Sequence, residues 1–120
     1  MRQVLAIAKA LSDENRLRAL IAVRGDELCL CQLIHVLGLS PATVSKHMDT
    51  LERAGLVERR REGKWRFYRL AGGSGNRSAT RALEWALEAV RGDPRIAEDA
   101  RKIAEVRQRD LEELSACYRG

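Results

Sequence analysis

The sequence predicts a mainly α fold carrying one β-hairpin, and three observations lead there. Apolar residues recur at three- and four-residue spacing along most of the chain. Only 4% of the 120 residues are aromatic, so Leu, Ala, Ile and Val must fill the core. A single segment, LVERRREGKWRFYRL, has the apolar start, polar turn and aromatic-rich second half of paired strands. The length allows one compact domain and leaves no room for a separate catalytic one.

Val4, Leu5, Ile7, Ala8 and Leu11 form the stripe of a first helix, and Ser12 is the expected cap of a second, whose first turn holds Asp13 and Glu14. Leu17, Leu20 and Ile21 continue it to about Val23, and Gly25 and Asp26 break it. CQLIHVL, residues 31–37, reads as a short helix stopped by Gly38. After Gly38, Leu39 and Ser40 the next helix begins, with Ser40 as cap and Pro41 at its first position. Val44, Met48 and Leu51 share its inner face, and Gly55 ends it. Two helices joined by so short a Gly-containing turn make a helix-turn-helix candidate.

The hairpin follows, turning at Glu62-Gly63, with Leu70 and one aromatic residue expected to pack inward and the rest left open. AGGSGN at 71–76 has the composition of a flexible linker. Beyond it two amphipathic helices are expected. Ala79, Leu83, Ala86, Leu87 and Val90 stripe the first; Ile96, Ala100, Ile103, Leu111 and Leu114 stripe the second, which starts after Pro94. With little domain left to cover, they point to a dimer interface, the alternative being packing on the chain's own core. The organisation is thus 1–75, a helix-turn-helix region with its N-terminal helix, and 76–120, C-terminal helices for dimerisation.

Lys and Arg outnumber Asp and Glu by 22 to 17, and the excess is concentrated: Arg53 to Arg69 holds seven basic residues against two acidic ones. Local cation density drives phosphate binding, so double-stranded nucleic acid is the first partner to consider, a solvated face being the alternative. The N-terminus is too charged for a secretory signal and no stretch approaches the roughly 20 apolar residues of a membrane span. A cytoplasmic protein without membrane contact is therefore expected. An odd number of cysteines in a reducing compartment suggests free thiols or thiolate ligands.

Two of these cysteines lie in ELCLCQL, residues 27–33. With LSDENRLRAL, LGLSPATVSKHMDTLERAGLV and REGKWRFYRL, in that order, the chain resembles the ArsR/SmtB family of metalloregulatory repressors. The resemblance implies a winged helix-turn-helix, with the hairpin as wing, that dimerises through N- and C-terminal helices. ELCLCQL is similar to the metal box of the arsenic-responsive branch, usually ELCVCDLC: Glu27, Leu28, Cys29, Cys31 and Leu33 coincide, while Gln32 replaces Asp and Ile34 stands where the last Cys would be.

Residues i and i+2 of a helix point about 200° apart, but in an extended segment they share a side. Cys29 is expected just outside the short helix and Cys31 in its first turn, so both reach one ion if the helix end frays. A helix start also stabilises a thiolate, which prefers soft ions; the alternative is a pair of buried cysteines acting as small hydrophobes. The resemblance implies As(III) or Sb(III) as inducer. Cys117 is the candidate third sulfur, or else a C-terminal thiol without a role. The family also has zinc sites on the helix after the wing; residues 77–91 contain no His, so none is expected there, and His35 reads as a half-buried packing residue.

For DNA, Ser40, Ala42, Thr43, Ser45, Lys46 and His47 are the expected recognition-helix contacts, with Ser45 and Lys46 at base edges and His47 either packing or touching phosphate. Arg59, Arg60, Arg61 and Lys64 are the expected wing contacts to phosphates or the minor groove. A homodimer would take an imperfect palindrome. The function so read is a repressor released from its operator when a soft ion binds Cys29 and Cys31. The alternative is a thiol-redox-sensing repressor of the same fold. A small thiol oxidoreductase is disfavoured because C-x-C differs from the redox C-x-x-C, and a pure protein-interaction module because of the Arg-rich hairpin.

Overall fold

The computed structural model describes residues 1–72 and 77–119, with side chains through 116. Residues 73–76 of the expected linker lie outside the described residues. In chain order the elements are α1 (Arg2–Leu11), α2 (Glu14–Ala22), β1 (Leu28–Cys29), α3 (Leu30–Leu37), α4 (Pro41–Arg53), β2 (Val57–Glu62), β3 (Trp65–Leu70), α5 (Arg77–Ala89), α6 (Pro94–Val106) and α7 (Leu111–Arg119).

The helix boundaries follow from capping chemistry. Asp13 caps α2, its Oδ1 accepting from the backbone N–H of Asn15 at 2.8 Å and of Arg16 at 3.1 Å. The expected cap, Ser12, instead closes α1 by donating to the Lys9 carbonyl at 2.7 Å. A carboxylate at the positive end of a helix gains from the dipole as well as from the hydrogen bonds, which favours Asp13 over its neighbour. Gly38 ends α3 with φ 68°, and Ser40 Oγ accepts from the Thr43 N–H at 3.2 Å to start α4 behind Pro41, both as expected.

Val44, Met48 and Leu51 of α4 are fully buried against Leu20 of α2, Leu33 of α3 and Tyr68 of β3, within one contiguous core. The sheet is three-stranded and antiparallel in the order β1-β3-β2. A two-residue strand is too short to show alternation, so β1 was invisible in the sequence; in the fold Leu28 pairs with Tyr68 and Cys29 with Phe67. The hairpin turns at Gly63-Lys64, one residue later than expected, because Glu62 stays in register with Trp65 and Gly63 supplies the positive φ (59°) that a two-residue turn needs.

Cross-strand register divides the hairpin side chains into two sets. Val57, Arg59, Arg61, Arg66, Tyr68 and Leu70 share the face that meets the core under α4; Glu58, Arg60, Glu62, Trp65, Phe67 and Arg69 share the other. Tyr68 is the aromatic residue that packs inward with Leu70. Trp65 and Phe67 are not left open, as expected, but are half-buried in a second cluster with Cys29, Cys31, Val36, Val106 and Leu114.

The C-terminal region departs most from expectation. The anticipated second helix is two, since Asp110 starts α7 by accepting from the Glu112 N–H at 3.0 Å. Both pack on the same chain: α6 against α2 and α3, and α7 against α3. Arg18 of α2 and Asp99 of α6 form a buried bidentate pair at 2.8 and 2.9 Å. Covering the cysteine box is thus what α6 and α7 do within one chain. Among the described residues the exposed large apolar side chains lie elsewhere, at Met1 and on the neighbouring α1 and α5, where Val4, Leu5 and Trp85 are 62, 61 and 67% exposed.

Candidate thiol site and nucleic-acid interface

Cys29 is the N-cap of α3, with extended backbone (φ −72°, ψ 152°), and Cys31 lies in the first turn. This geometry turns both sulfurs to one side, and the Cys31 thiol donates to Cys29 Sγ at 3.1 Å. One ion about 2.3 Å from each sulfur, as in thiolate complexes, would bridge such a pair once the sulfurs part by about 0.4 Å and the proton between them is lost. Gln32 completes a capping box: its side-chain oxygen accepts from the Cys29 N–H at 2.7 Å, while Cys29 Sγ accepts from the Gln32 N–H. Gln32 therefore contributes the order of the box rather than a charge. Its amide nitrogen also donates to the Val106 carbonyl at 3.4 Å, which ties the box to α6.

Both cysteines are 1% exposed, yet their surroundings are not only apolar. The hydrogen bond from Cys31, helped by backbone N–H groups of Cys31, Gln32 and Arg66, holds the Cys29 thiol below the ordinary 9.0, at about 7, against the opposing effect of burial. Cys31 is pushed up, first because it donates to Cys29 and then by burial. The pair thus holds one thiolate and one thiol near neutral pH. Thiolate ultraviolet absorbance is expected to rise with a midpoint of about 7 and the amplitude of a single sulfur. Because the folded value lies below the unfolded one, the stability this thiolate contributes is present above the ordinary thiol range and is lost as pH falls from 9 through 7. A titration showing no ionisation until above pH 9 would contradict the shared-proton arrangement.

Among the described residues no third His, Cys, Asp or Glu joins the two sulfurs in a cluster that would hold a metal. The Cys117 side chain, the expected third sulfur, lies outside the described residues; its backbone belongs to α7, the helix whose Leu114 packs in the cysteine cluster. His35 is exposed rather than half-buried, its Nε2 3.4 Å from Arg109 in the connection between α6 and α7.

The expected DNA contacts fall into two groups. Ser40, Ala42, Thr43 and Lys46 are exposed at the start and outer side of α4, Ser45 is half-buried beside them, and Ser40 Oγ donates to Thr43 Oγ1 at 2.8 Å. His47 is turned inward: its Nδ1 lies 3.3 Å from Arg16 and its Nε2 4.0 Å from Asp13, which leaves it packing α4 onto α2. On the wing, Arg59 and Arg61 point to the α4 side and, with Arg66, line a cleft of about 290 Å³. Arg61 and Arg66 are direct cross-strand partners with no acidic partner among the described residues, an arrangement that costs stability until an anion joins it. Sequence reading missed Arg66, because only the hairpin register shows that it shares a face with Arg59 and Arg61.

Arg60 and Lys64 face elsewhere. Arg60 holds Glu27 with both ends of its guanidinium, Nε to Oε2 at 2.9 Å, and stacks on the Phe67 ring at 4.4 Å. That hydrogen bond holds the Glu27 carboxyl below its usual range. Lys64 pairs with Glu112 of α7 and lies 4.9 Å over the Trp65 ring.

Comparison with known proteins matches residues 13–59 to the bacterial regulatory protein, arsR family, model. An HTH-type transcriptional regulator of Methanocaldococcus jannaschii is 38% identical over 63 residues, 52% of this chain and 71% of that protein. The solution structure of Mb0332 from Mycobacterium bovis, a homodimeric winged helix-turn-helix DNA-binding domain described as a possible ArsR-family regulator, is 31% identical. It covers 74% of this chain and 82% of its own, with a TM-score of 0.61. The chain belongs to the arsR family.

Among other relatives, the arsenic resistance transcriptional regulator ArsR1 of Pseudomonas putida is 42% identical over 74 residues, 58% of each chain. This arsR-family chain spans about half the length of the first curated relatives it matches. The family match ends at residue 59, inside β2. The second half of the wing and the helices that cover the thiols are therefore understood from the fold and not from the family model.

Proposed function

We propose that this chain is a dimeric, DNA-binding transcriptional repressor released from its operator when a soft ion, arsenite or antimonite above all, joins Cys29 and Cys31. The observation that carries the reading is the pair of sulfurs 3.1 Å apart, with the Cys29 thiol held below its ordinary range by the Cys31 hydrogen bond, at the start of the first helix of the helix-turn-helix. The resistance functions named for the P. putida relative, and for cadmium resistance regulators 43% identical over 61 residues, support a thiophilic inducer. A soft ion suits two sulfurs in a site with no described oxygen ligand, and a trivalent one would complete its coordination with a third, exogenous ligand.

In this reading Ser40, Ala42, Thr43, Ser45 and Lys46 present α4 to the major groove, while Arg59, Arg61 and Arg66 grip backbone phosphates alongside. A second copy covers the exposed Val4, Leu5 and Trp85, setting two recognition helices against an imperfect palindrome. Loss of the proton that the sulfurs share, and their movement onto one ion, displaces residues 27–31 and with them the DNA-binding elements.

Selection of binding duplexes from a random-sequence pool, followed by titration with salt and with arsenite, tests the reading. Palindromic sequences should be enriched, binding should weaken steeply with salt, and saturating arsenite should lower affinity about 5- to 150-fold. Duplex affinity that is absent, or identical with and without arsenite, would refute it. The ionised Cys29 beside a second thiol also favours one alternative, a redox-sensing repressor, in which peroxide rather than arsenite releases the duplex in the same assay.

A further inference from the structure

The thiol pair sits at the far end of α3 from the recognition helix. Cys29 is the N-cap, and the turn into α4 comes only after the eight residues of α3, roughly 12 Å along its axis. Beyond it the two helices share a close-packed core of Leu33, Val44, Met48 and Leu51, which resists a small displacement at the distant end. The wing, by contrast, touches the site directly. The Cys29 backbone pairs with Phe67, the Arg66 N–H donates to Cys29 Sγ, and the rings of Trp65 and Phe67 pack in the cysteine cluster.

One clasp joins this contact to the face of the wing that carries Arg59, which pairs with Glu52 at 3.7 Å, and Arg61 and Arg66, which have no acidic partner among the described residues. Glu27, two residues before Cys29, is gripped at both carboxylate oxygens by Arg60, whose guanidinium rests on Phe67. Arg60 lies between Arg59 and Arg61 on β2, and strand alternation sends those two to the opposite face, towards α4. Arg107 at the end of α6 adds a brace, donating to the backbone carbonyls of Asp26 and Glu27 at 3.1 and 3.2 Å. A shift of residues 27–29 therefore pulls on Arg60, and the strand that Arg60 occupies carries Arg59 and Arg61.

We propose that the Glu27–Arg60 clasp, seated on Phe67, transmits the state of the thiol pair to the phosphate-gripping face of the wing, so that Arg60 is a coupling residue and not a DNA contact. This rests on the inducer-responsive reading above. Ion uptake displaces the segment that ends in Cys29, the clasp carries the displacement into β2, and Arg59, Arg61 and Arg66 lose their common alignment. A coupling of this kind needs a contiguous contact with two arrangements biased by both sites, and the box-clasp-strand sequence supplies one.

The test compares wild type, Arg60→Ala, Glu27→Gln, their double variant and Arg61→Ala. Three readouts are taken: operator affinity without arsenite at several salt concentrations, affinity with saturating arsenite, and arsenic-thiolate absorbance as a measure of ion uptake. Arg60→Ala and Glu27→Gln should each keep operator affinity, salt slope and arsenic uptake near wild type while losing most of the 5- to 150-fold release. The double variant should lose no more than either single one, the mark of a shared path. Arg61→Ala should do the reverse, lowering the salt slope by about 1 and leaving the release ratio intact.

Full release of Arg60→Ala by arsenite overturns the proposal. So does a salt slope reduced as in Arg61→Ala, which would make Arg60 a phosphate contact, or loss of the arsenic-thiolate band, which would make the clasp part of the ion site. Wild type that ignores arsenite overturns the functional reading itself, and is distinguished by needing no variant to show it.

Discussion

Asp99→Ala is expected to lower the stability of the fold by about 3 to 5 kcal/mol, read as a fall of roughly 10 to 20 °C in the melting temperature. The Arg18 and Asp99 side chains are 3 and 4% exposed, and the bidentate contact between them crosses from α2 to α6. The hydrogen bond that Arg18 donates to Asp99 is the main cause that raises the Arg18 pKa. A guanidinium is basic enough to stay charged without that partner as well. Removing Asp99 leaves a buried cation whose remaining hydrogen-bond acceptor among the described residues is Asn15 Oδ1 at 2.9 Å, with Glu14 and Glu98 attracting it only through space. Replacing both members by apolar residues, Arg18→Met with Asp99→Leu, should recover most of the loss, because the cost lies in the orphaned charge and not in the missing attraction. Glu98→Ala, which removes an exposed intrahelical partner of Lys102, should cost under about 0.5 kcal/mol. A loss below about 1 kcal/mol for Asp99→Ala would show that water reaches Arg18. The consequence extends to the site, since α6 brings Val106 and Ile103 over the sulfurs. Alkylation of Cys29 should therefore be faster in Asp99→Ala than in wild type.

Cys29→Ser is expected to yield a chain that grips its operator as wild type does and does not respond to arsenite, the 5- to 150-fold release falling to none. The reason lies in the capping box. Serine is a better N-cap than cysteine, and Ser-x-x-Gln is the pattern in which the hydroxyl accepts from the third N–H while the Gln32 side chain accepts from residue 29. The start of α3 and the helix-turn-helix behind it are thus retained, and only the polarizable sulfur is lost. Arsenic-thiolate absorbance should vanish in parallel. An arsenite response that survives in Cys29→Ser would move the ion site away from the box, and operator binding lost along with it would mean that the sulfur holds the fold rather than senses an ion.

The elements around the helix-turn-helix were legible because their signals are local. The Ser40-Pro41 start, the Gly38 stop and the inward trio Val44, Met48 and Leu51 each depend on chemistry within one or two turns. The position of Cys29 outside α3 was legible for the same reason. The cap at Asp13 was misplaced by one residue because Ser12 and Asp13 are both good caps, and only the closing of α1 by Ser12 separates them. The split between α6 and α7 was missed because the apolar stripe continues from Ile103 to Leu111 and Leu114 across the break.

The sequence by itself determined the family-like order of elements, the cysteine pair at a helix mouth and the basic hairpin, all of which follow from neighbours in the chain. Only the tertiary structure decided what those parts face. Arg59, Arg60 and Arg61 are chemically alike and adjacent, yet strand alternation sends the first and third towards α4 and the second to Glu27 beside the thiols. A two-residue strand, a cross-strand register and a helix folded back over its own cysteines are products of long-range packing. No local pattern encodes them, because their free energy comes from contacts between residues far apart in the chain.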